Sequence, residues 1–102
     1  MKLAIRPTAE ADLTESISWY RDQAMGLDKE FALAVDKAMM QIRKNPTGFV
    51  VRGKISGKQV RAITVSRFPF LIYYYVDEAR NVIVVEAIWH TSRNPIKWKK
   101  RV

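Results

Sequence analysis

Apolar and polar residues follow one period in the first half of the chain and another in the second. Ala9, Leu13, Ile17, Tyr20 and Ala24 recur every three to four positions, with Trp19 beside them. Leu27, Phe31, Ala34, Ala38 and Ile42 repeat the pattern, flanked by Val35 and Met39. Such spacing puts each set on one face of an α-helix. Pro7 and Thr8 open the first helix: proline suits a first turn and threonine an N-cap. Glu10, Asp12 and Glu15 then favour the positive end of the helix dipole. Met25-Gly26 breaks the first run, and Asn45-Pro46 stops the second. So short a link predicts an antiparallel helical hairpin.

Before the hairpin, Lys2–Arg6 reads as a short strand. After Gly48 the helical period is lost. Val51–Lys58, "VRGKISGK", is polar and glycine-bearing and reads as an exposed loop. Val60–Val65, Phe68–Val76 and Val82–Trp89 have strand character. Ser66–Pro69 and Asp77–Asn81 turn the chain between them, so these strands are expected to be antiparallel neighbours. Ile96–Arg101 can form a last helical turn. The predicted order is β-α-α-β-β-β: one α+β domain over residues 1–102, its helical hairpin packed on one face of a mainly antiparallel sheet.

Two helices cover only one face of such a sheet. On the last strand Ile83, Val85, Ala87 and Trp89 share a side by simple alternation and are expected against the helices. Val82, Val84, Glu86, Ile88 and His90 then form a half-apolar opposite side. A partner or the C-terminal tail could cover it.

Composition narrows the chemistry. A chain of 102 residues suits one domain able to bury a core without staples. There is no cysteine, which rules out disulfides and thiolate metal sites, and no metal or cofactor is expected. The N-terminal residues lack the apolar region of a signal peptide. No apolar run approaches the ~18 residues of a membrane span. The expectation is a soluble cytoplasmic protein with no membrane partner. The net charge of +8 lies in the second half: residues 1–51 carry seven Lys/Arg and seven Asp/Glu, and residues 52–102 carry eleven and three. A basic surface suits an acidic protein or a phosphate backbone, and solubility alone is the plainer alternative.

The chain also resembles the RelE/ParE superfamily of bacterial toxins from type II toxin–antitoxin systems. The resemblance rests on "AEADLTESISWY" (Ala9–Tyr20), "GLDKEFALAVDKAMMQIRKNP" (Gly26–Pro46), "VRAITVSRFPFLIYYYV" (Val60–Val76) and "VIVVEAIWHTSRNPIKW" (Val82–Trp98). The order of these stretches and the His-Arg-Pro-Trp ending are more specific than any one of them. That ending is more similar to the ParE-type, plasmid-stabilisation branch. The resemblance implies a growth-arresting toxin neutralised by a cognate, acidic antitoxin. ParE-like members bind and block DNA gyrase. RelE-like members cleave mRNA on the ribosome. Operator DNA would be contacted only through the antitoxin.

RNA cleavage needs a base for the 2′-OH, a cation for the phosphate and an acid for the leaving oxygen. Arg61, His90 and Arg93 are the candidates for that alternative, with Arg67, Arg52 and Lys54 as further cations. No tyrosine follows Tyr75, and simple alternation puts Glu86 and His90 about 13 Å apart along one strand, too far for a dyad. The residues therefore read better as a binding surface, with no catalytic group. Arg61, Arg67, His90, Arg93 and Trp98 form the expected target contact. Leu13, Ile17, Trp19 and Tyr20 form the expected antitoxin anchor. Two plainer readings stand beside these: His90 as a polar strand end bonding a carbonyl or water, and the first-helix residues as core. A third functional class, a basic nucleic-acid-binding module through Lys97, Lys99, Lys100 and Arg101, has charge in its favour but no recognisable motif.

Overall fold

The structure is a computed structural model and describes residues 1–93. Strand β1 (Lys2–Ile5) leads into helices α1 (Pro7–Gln23) and α2 (Leu27–Lys44). Strands β2 (Val50–Ile55), β3 (Lys58–Thr64), β4 (Phe70–Asp77) and β5 (Val82–His90) follow. They form one sheet in the order β1-β5-β4-β3-β2. β1 runs parallel to β5, and the other pairs are antiparallel. This is the α+β arrangement that the sequence pattern predicts, with one strand more. The expected turn at Ile96–Arg101 lies outside the described residues.

Local chemistry explains the element ends. Pro7 is the first residue of α1, and Arg6 rather than Thr8 holds the cap position, without a side-chain bond. Proline costs nothing there because that N–H has no intrahelical acceptor. Gly26 sits at φ 83° between the helices, a left-handed geometry that a β-carbon disfavours. Phe31, Val35, Ala38, Met39 and Ile42 bury the inner face of α2. They meet Ile63, Val65, Phe70, Ile72, Tyr74, Ile83, Val85 and Ile88 from the sheet in the main core. Tyr20, Phe31, Phe68 and Phe70 join it as rings 4.9–6.0 Å apart, mostly edge to face or tilted.

The segment expected as a loop, Val51–Lys58, is instead most of β2, its turn and the start of β3. Ile55 pairs with Lys58 across a two-residue turn, Ser56-Gly57, with φ of 49° and 79°. Two successive positive φ values are those of the turn whose twist matches paired strands. The polar character of β2 reflects its place at the sheet edge.

The alternation expected along β5 also fails midway. Tyr73 pairs with Ala87 and Tyr74 with Val85, so Glu86 is an extra residue without a Cα partner. A bulge of this kind shifts the pleat by one position. Ile83 and Val85 face the helices as expected, but Ala87 and Trp89 do not. They join Ile55, Val60, Ala62 and Tyr73 in a second cluster on the other sheet face. Ile88 moves to the helix side, and His90 pairs there with Phe70. Val82 and Val84 stay on the second face, so the five residues expected on one side are divided. Glu86 is fully buried and forms an ion pair with Arg6 at 3.6 Å.

Tyr74 ties the two layers together. It is fully buried, and its hydroxyl donates to the Pro46 carbonyl just beyond α2, at 2.6 Å. Tyr74→Phe should lower unfolding free energy by about 1 kcal/mol, the usual net worth of one such bond, in urea titrations. Burial pushes the Tyr74 hydroxyl up to about 12, partly offset by the charge of Arg61. In the unfolded chain the same hydroxyl titrates near 10. The folded state therefore retains a proton that the unfolded state loses. Stability should be intact below pH 10 and fall between about pH 10 and pH 12. Tyr74→Phe should remove that part of the fall.

Candidate functional site

Helix α1 crosses the end of β5 and leaves a cleft of about 430 Å³ between them. Tyr20, Phe70 and Ile88 supply apolar floor. Trp19, Glu15 and Ser16 line it from α1, and Pro69, His90 and Arg93 from the sheet end. Asp12, Ser16 and Trp19 follow one another at i, i+4 and i+7, a stripe beside the core-facing stripe of the same helix. Trp19 is 57% exposed and stands edge-on to Tyr20, with ring centroids 5.0 Å apart. A largely exposed indole beside an apolar floor can anchor an apolar partner group.

The opposite lip is built from strand-end hydrogen bonds. Thr91 donates its N–H to the Pro69 carbonyl at 2.8 Å, pinning the end of β5 to the β3–β4 turn. Arg93 donates its N–H to the His90 carbonyl at 3.0 Å, and its guanidinium lies 4.1 Å from the centre of the Trp89 ring. The His90 ring is edge-on to Phe70 at 5.4 Å. Its Nδ1 accepts the Ser92 N–H at 3.0 Å and lies 2.8 Å from the Ser92 hydroxyl. Backbone N–H groups only donate, so this contact assigns the neutral ring's proton to Nε2. His90 therefore presents an N–H donor rather than a free basic nitrogen.

A cross-link holds the two lips together. Asp12 accepts the Ile88 N–H at 3.2 Å, two residues past the bulge. A carboxylate on α1 thus fixes the helix against the strand where the strand is irregular.

The residues singled out from sequence fall in three places. Trp19, His90 and Arg93 meet in the cleft. Arg67 is exposed on the β3–β4 turn, at the same end of the sheet, and has φ 73°. Arg61 is elsewhere. It pairs with Tyr74, four residues along β4 from the partner of His90, or about 13 Å at strand spacing. Its guanidinium donates to the Phe49 carbonyl at 2.8 Å and to Gln59 at 3.1 Å. Leu13 and Ile17 pack against the main core, and Tyr20 lies within it. Trp98 is outside the described residues. The sequence reading missed Glu15, Ser16, Pro69 and Phe70 as lining groups. The i, i+4, i+7 stripe was a visible signal for the α1 side; nothing local marked the turn residues.

This arrangement has the parts of a protein-docking site: an apolar floor, an open indole, and N–H and guanidinium donors at the rim. It does not assemble Arg61, His90 and Arg93 around one point. Among the described residues no three His, Asp or Glu side chains converge as a metal site would require. The fold and cleft thus define a small α+β domain with an aromatic-floored cleft rimmed by His90 and Arg93.

The family model for the ParE toxin of the type II toxin–antitoxin system parDE matches residues 3–95, and the chain belongs to that family. Among solved structures it is similar to one titled "Chromosomal ParDE TA system from P. aeruginosa", at 22% identity and a TM-score of 0.63. That match covers 88% of this chain and 95% of the other. At such identity the likeness concerns the fold. No curated protein matches the chain significantly.

Two substitutions separate support from binding in this cleft. Asp12→Ala removes a charged acceptor from a strand N–H and should cost about 1.5–3 kcal/mol in chemical denaturation. Trp19→Ala removes a largely exposed ring and should cost no more than about 1 kcal/mol.

Proposed function

We propose that this chain arrests growth by binding DNA gyrase, and that a cognate acidic antitoxin neutralises it. Membership of the ParE toxin family supports the system. The observation that carries the binding reading is the meeting of Trp19, His90 and Arg93 in one aromatic-floored cleft. The carboxylates of Asp12 and Glu15 share the cleft with His90, but Asp12 is engaged by the Ile88 N–H and the Nδ1 of His90 by the Ser92 N–H. Binding needs only donors, a cation and an open ring, all of which are present.

In this reading the target contact is centred on His90 and Arg93, with Arg67 at the same end of the sheet. Trp98 remains part of the proposed contact set. Arg61 serves chiefly to hold the Phe49 carbonyl beside β2. The antitoxin would place an apolar side chain on Trp19 and the floor beneath it. Its acidic groups would approach the basic rim, where opposite charge speeds encounter and sets orientation. Any contact with operator DNA would run through the antitoxin.

Purified gyrase tests the target directly. Supercoiling should be inhibited by the wild-type protein, and at least tenfold more protein should be needed with Arg93→Ala. Unchanged supercoiling with no trapped cleavage complex would remove gyrase as the target. Messages cut in a translating extract would favour the nuclease alternative. Antitoxin binding has its own readout: Trp19→Ala should weaken it by about 2 kcal/mol, the loss expected of an aromatic anchor, in titration calorimetry.

A further inference from the structure

The net charge is more sharply placed than a division into halves reveals. Residues 37–76 contain eight Lys/Arg and no Asp/Glu, while residues 1–36 carry four and seven, and residues 77–102 carry six and three. The balances are +8, −3 and +3, so the central block alone matches the whole net charge. The fold keeps this block together. It comprises the second half of α2, β2, β3 and nearly all of β4, and β2 and β3 are adjacent at one side of the sheet. The acids of α1 lie over the other side, where α1 packs on β5.

Among the described residues β2 is the outermost strand of that cationic side, and no other described strand pairs with its outer row of backbone N–H and C=O groups. Arg52 and Lys54 are exposed on it. Val50 and Val51 are 63% and 41% exposed, unusual for β-branched residues in a sheet. Arg52 is the extra residue where the β2–β3 register shifts between Val51 and Gly53. It lies near enough to Tyr73 for its charge to oppose the rise that burial causes in the Tyr73 hydroxyl. At the start of β2, a groove of about 450 Å³ runs between Phe49, Val50 and Arg52 and the end of β3 at Ile63 and Thr64.

We propose that the outer edge of β2 accepts an acidic polypeptide segment in extended conformation, as a sixth strand. Backbone hydrogen bonds would hold the segment, and alternate side chains would select it. On the face that carries Lys54 its acids would meet that cation, with Arg52 at the bulge beside it, and on the opposite face its apolar residues would lie on Val50. A second copy of this chain is a poor occupant, because like charges would oppose each other across the new pair. A nucleic acid satisfies the charge but leaves the exposed valines against hydrated phosphate. Charge and a bulge on an edge strand also serve to prevent self-association. That role accounts for Arg52 and Lys54, but not for exposed valines beside them. The inference does not depend on which target the toxin engages.

The probe is an acetylated, amidated eight-residue peptide of alternating Glu and Val, added to the full-length protein and followed by NMR. Shifts centred on residues 50–55 and slowed exchange of β2 amides are expected. Binding should weaken at least tenfold in the double variant Arg52→Glu, Lys54→Glu. If that variant misfolds, the milder pair Arg52→Gln, Lys54→Gln should still weaken binding severalfold. A proline placed at the centre of the peptide should abolish the slowed exchange. Absence of binding would overturn the proposal. So would shifts scattered over all cationic surfaces, or tighter binding of a twelve-base-pair DNA duplex to the same residues. Self-association of the Gln variant without peptide binding to the parent protein would assign these cations to edge protection alone.

Discussion

One extra residue in β5 decides what this molecule presents to others. Without the bulge, with Glu86 paired like its neighbours, the strand would alternate evenly, Trp89 would face the helices and His90 would point away from them. With it, Ile88 closes the core under α1 and His90 reaches the helix side beside Phe70. A bulge leaves backbone groups out of the ladder and bends the strand, so it persists only where other groups compensate. Two contacts surround this one. Asp12 takes the Ile88 N–H, and Arg6 lies against the buried Glu86 carboxylate. Arg6 is itself placed by β1, whose parallel pairing brings Ile5 opposite Val85. The irregular strand, the first strand and the first helix therefore form one device, and the cleft is its product.

Much of this was legible. The helices announce themselves by a 3.6-residue period, since the same side chains that make the pattern make the core. The Gly26 break and the Pro46 stop are local backbone effects, and they fall where the sequence puts them. The register of β5 was not legible by alternation, which has no room for an inserted residue. A glutamate inside an otherwise apolar run was the available warning, because a buried carboxylate needs a cation and a reason to be there. β2 escapes a reading by composition because its polar residues suggest a loop. An edge strand is polar for its own reason, and Ser56-Gly57 was the hairpin signal that composition obscured.

The site divides in the same way. Trp19, His90 and Arg93 were identified by residue type, and the fold brings them together. Arg61 is of the same type but lies about 13 Å along the sheet from His90, where its guanidinium donates to the Phe49 carbonyl, twelve residues away in sequence. Such a contact depends on how β2 starts, and no short window contains that information. Tyr20 likewise belongs to an aromatic cluster drawn from α1, α2 and the β3–β4 turn. Whether a ring is core or surface is decided by those distant partners.

The cleft's two lips carry the two roles proposed for it. Trp19, assigned to the antitoxin, and His90 and Arg93, assigned to the target, line a single space of about 430 Å³. A side chain seated on Trp19 and the floor would stand against His90 as well. Under the proposed function, the two partners then compete for one surface, and neutralisation needs no second conformation of the toxin. The lips are already fixed by Asp12 to Ile88, Thr91 to Pro69 and Ser92 to His90. A site held by such bonds before binding spends little on ordering when a partner arrives. Rigidity therefore favours whichever partner matches the cleft better, and leaves relative affinity and concentration to decide between arrest and rest.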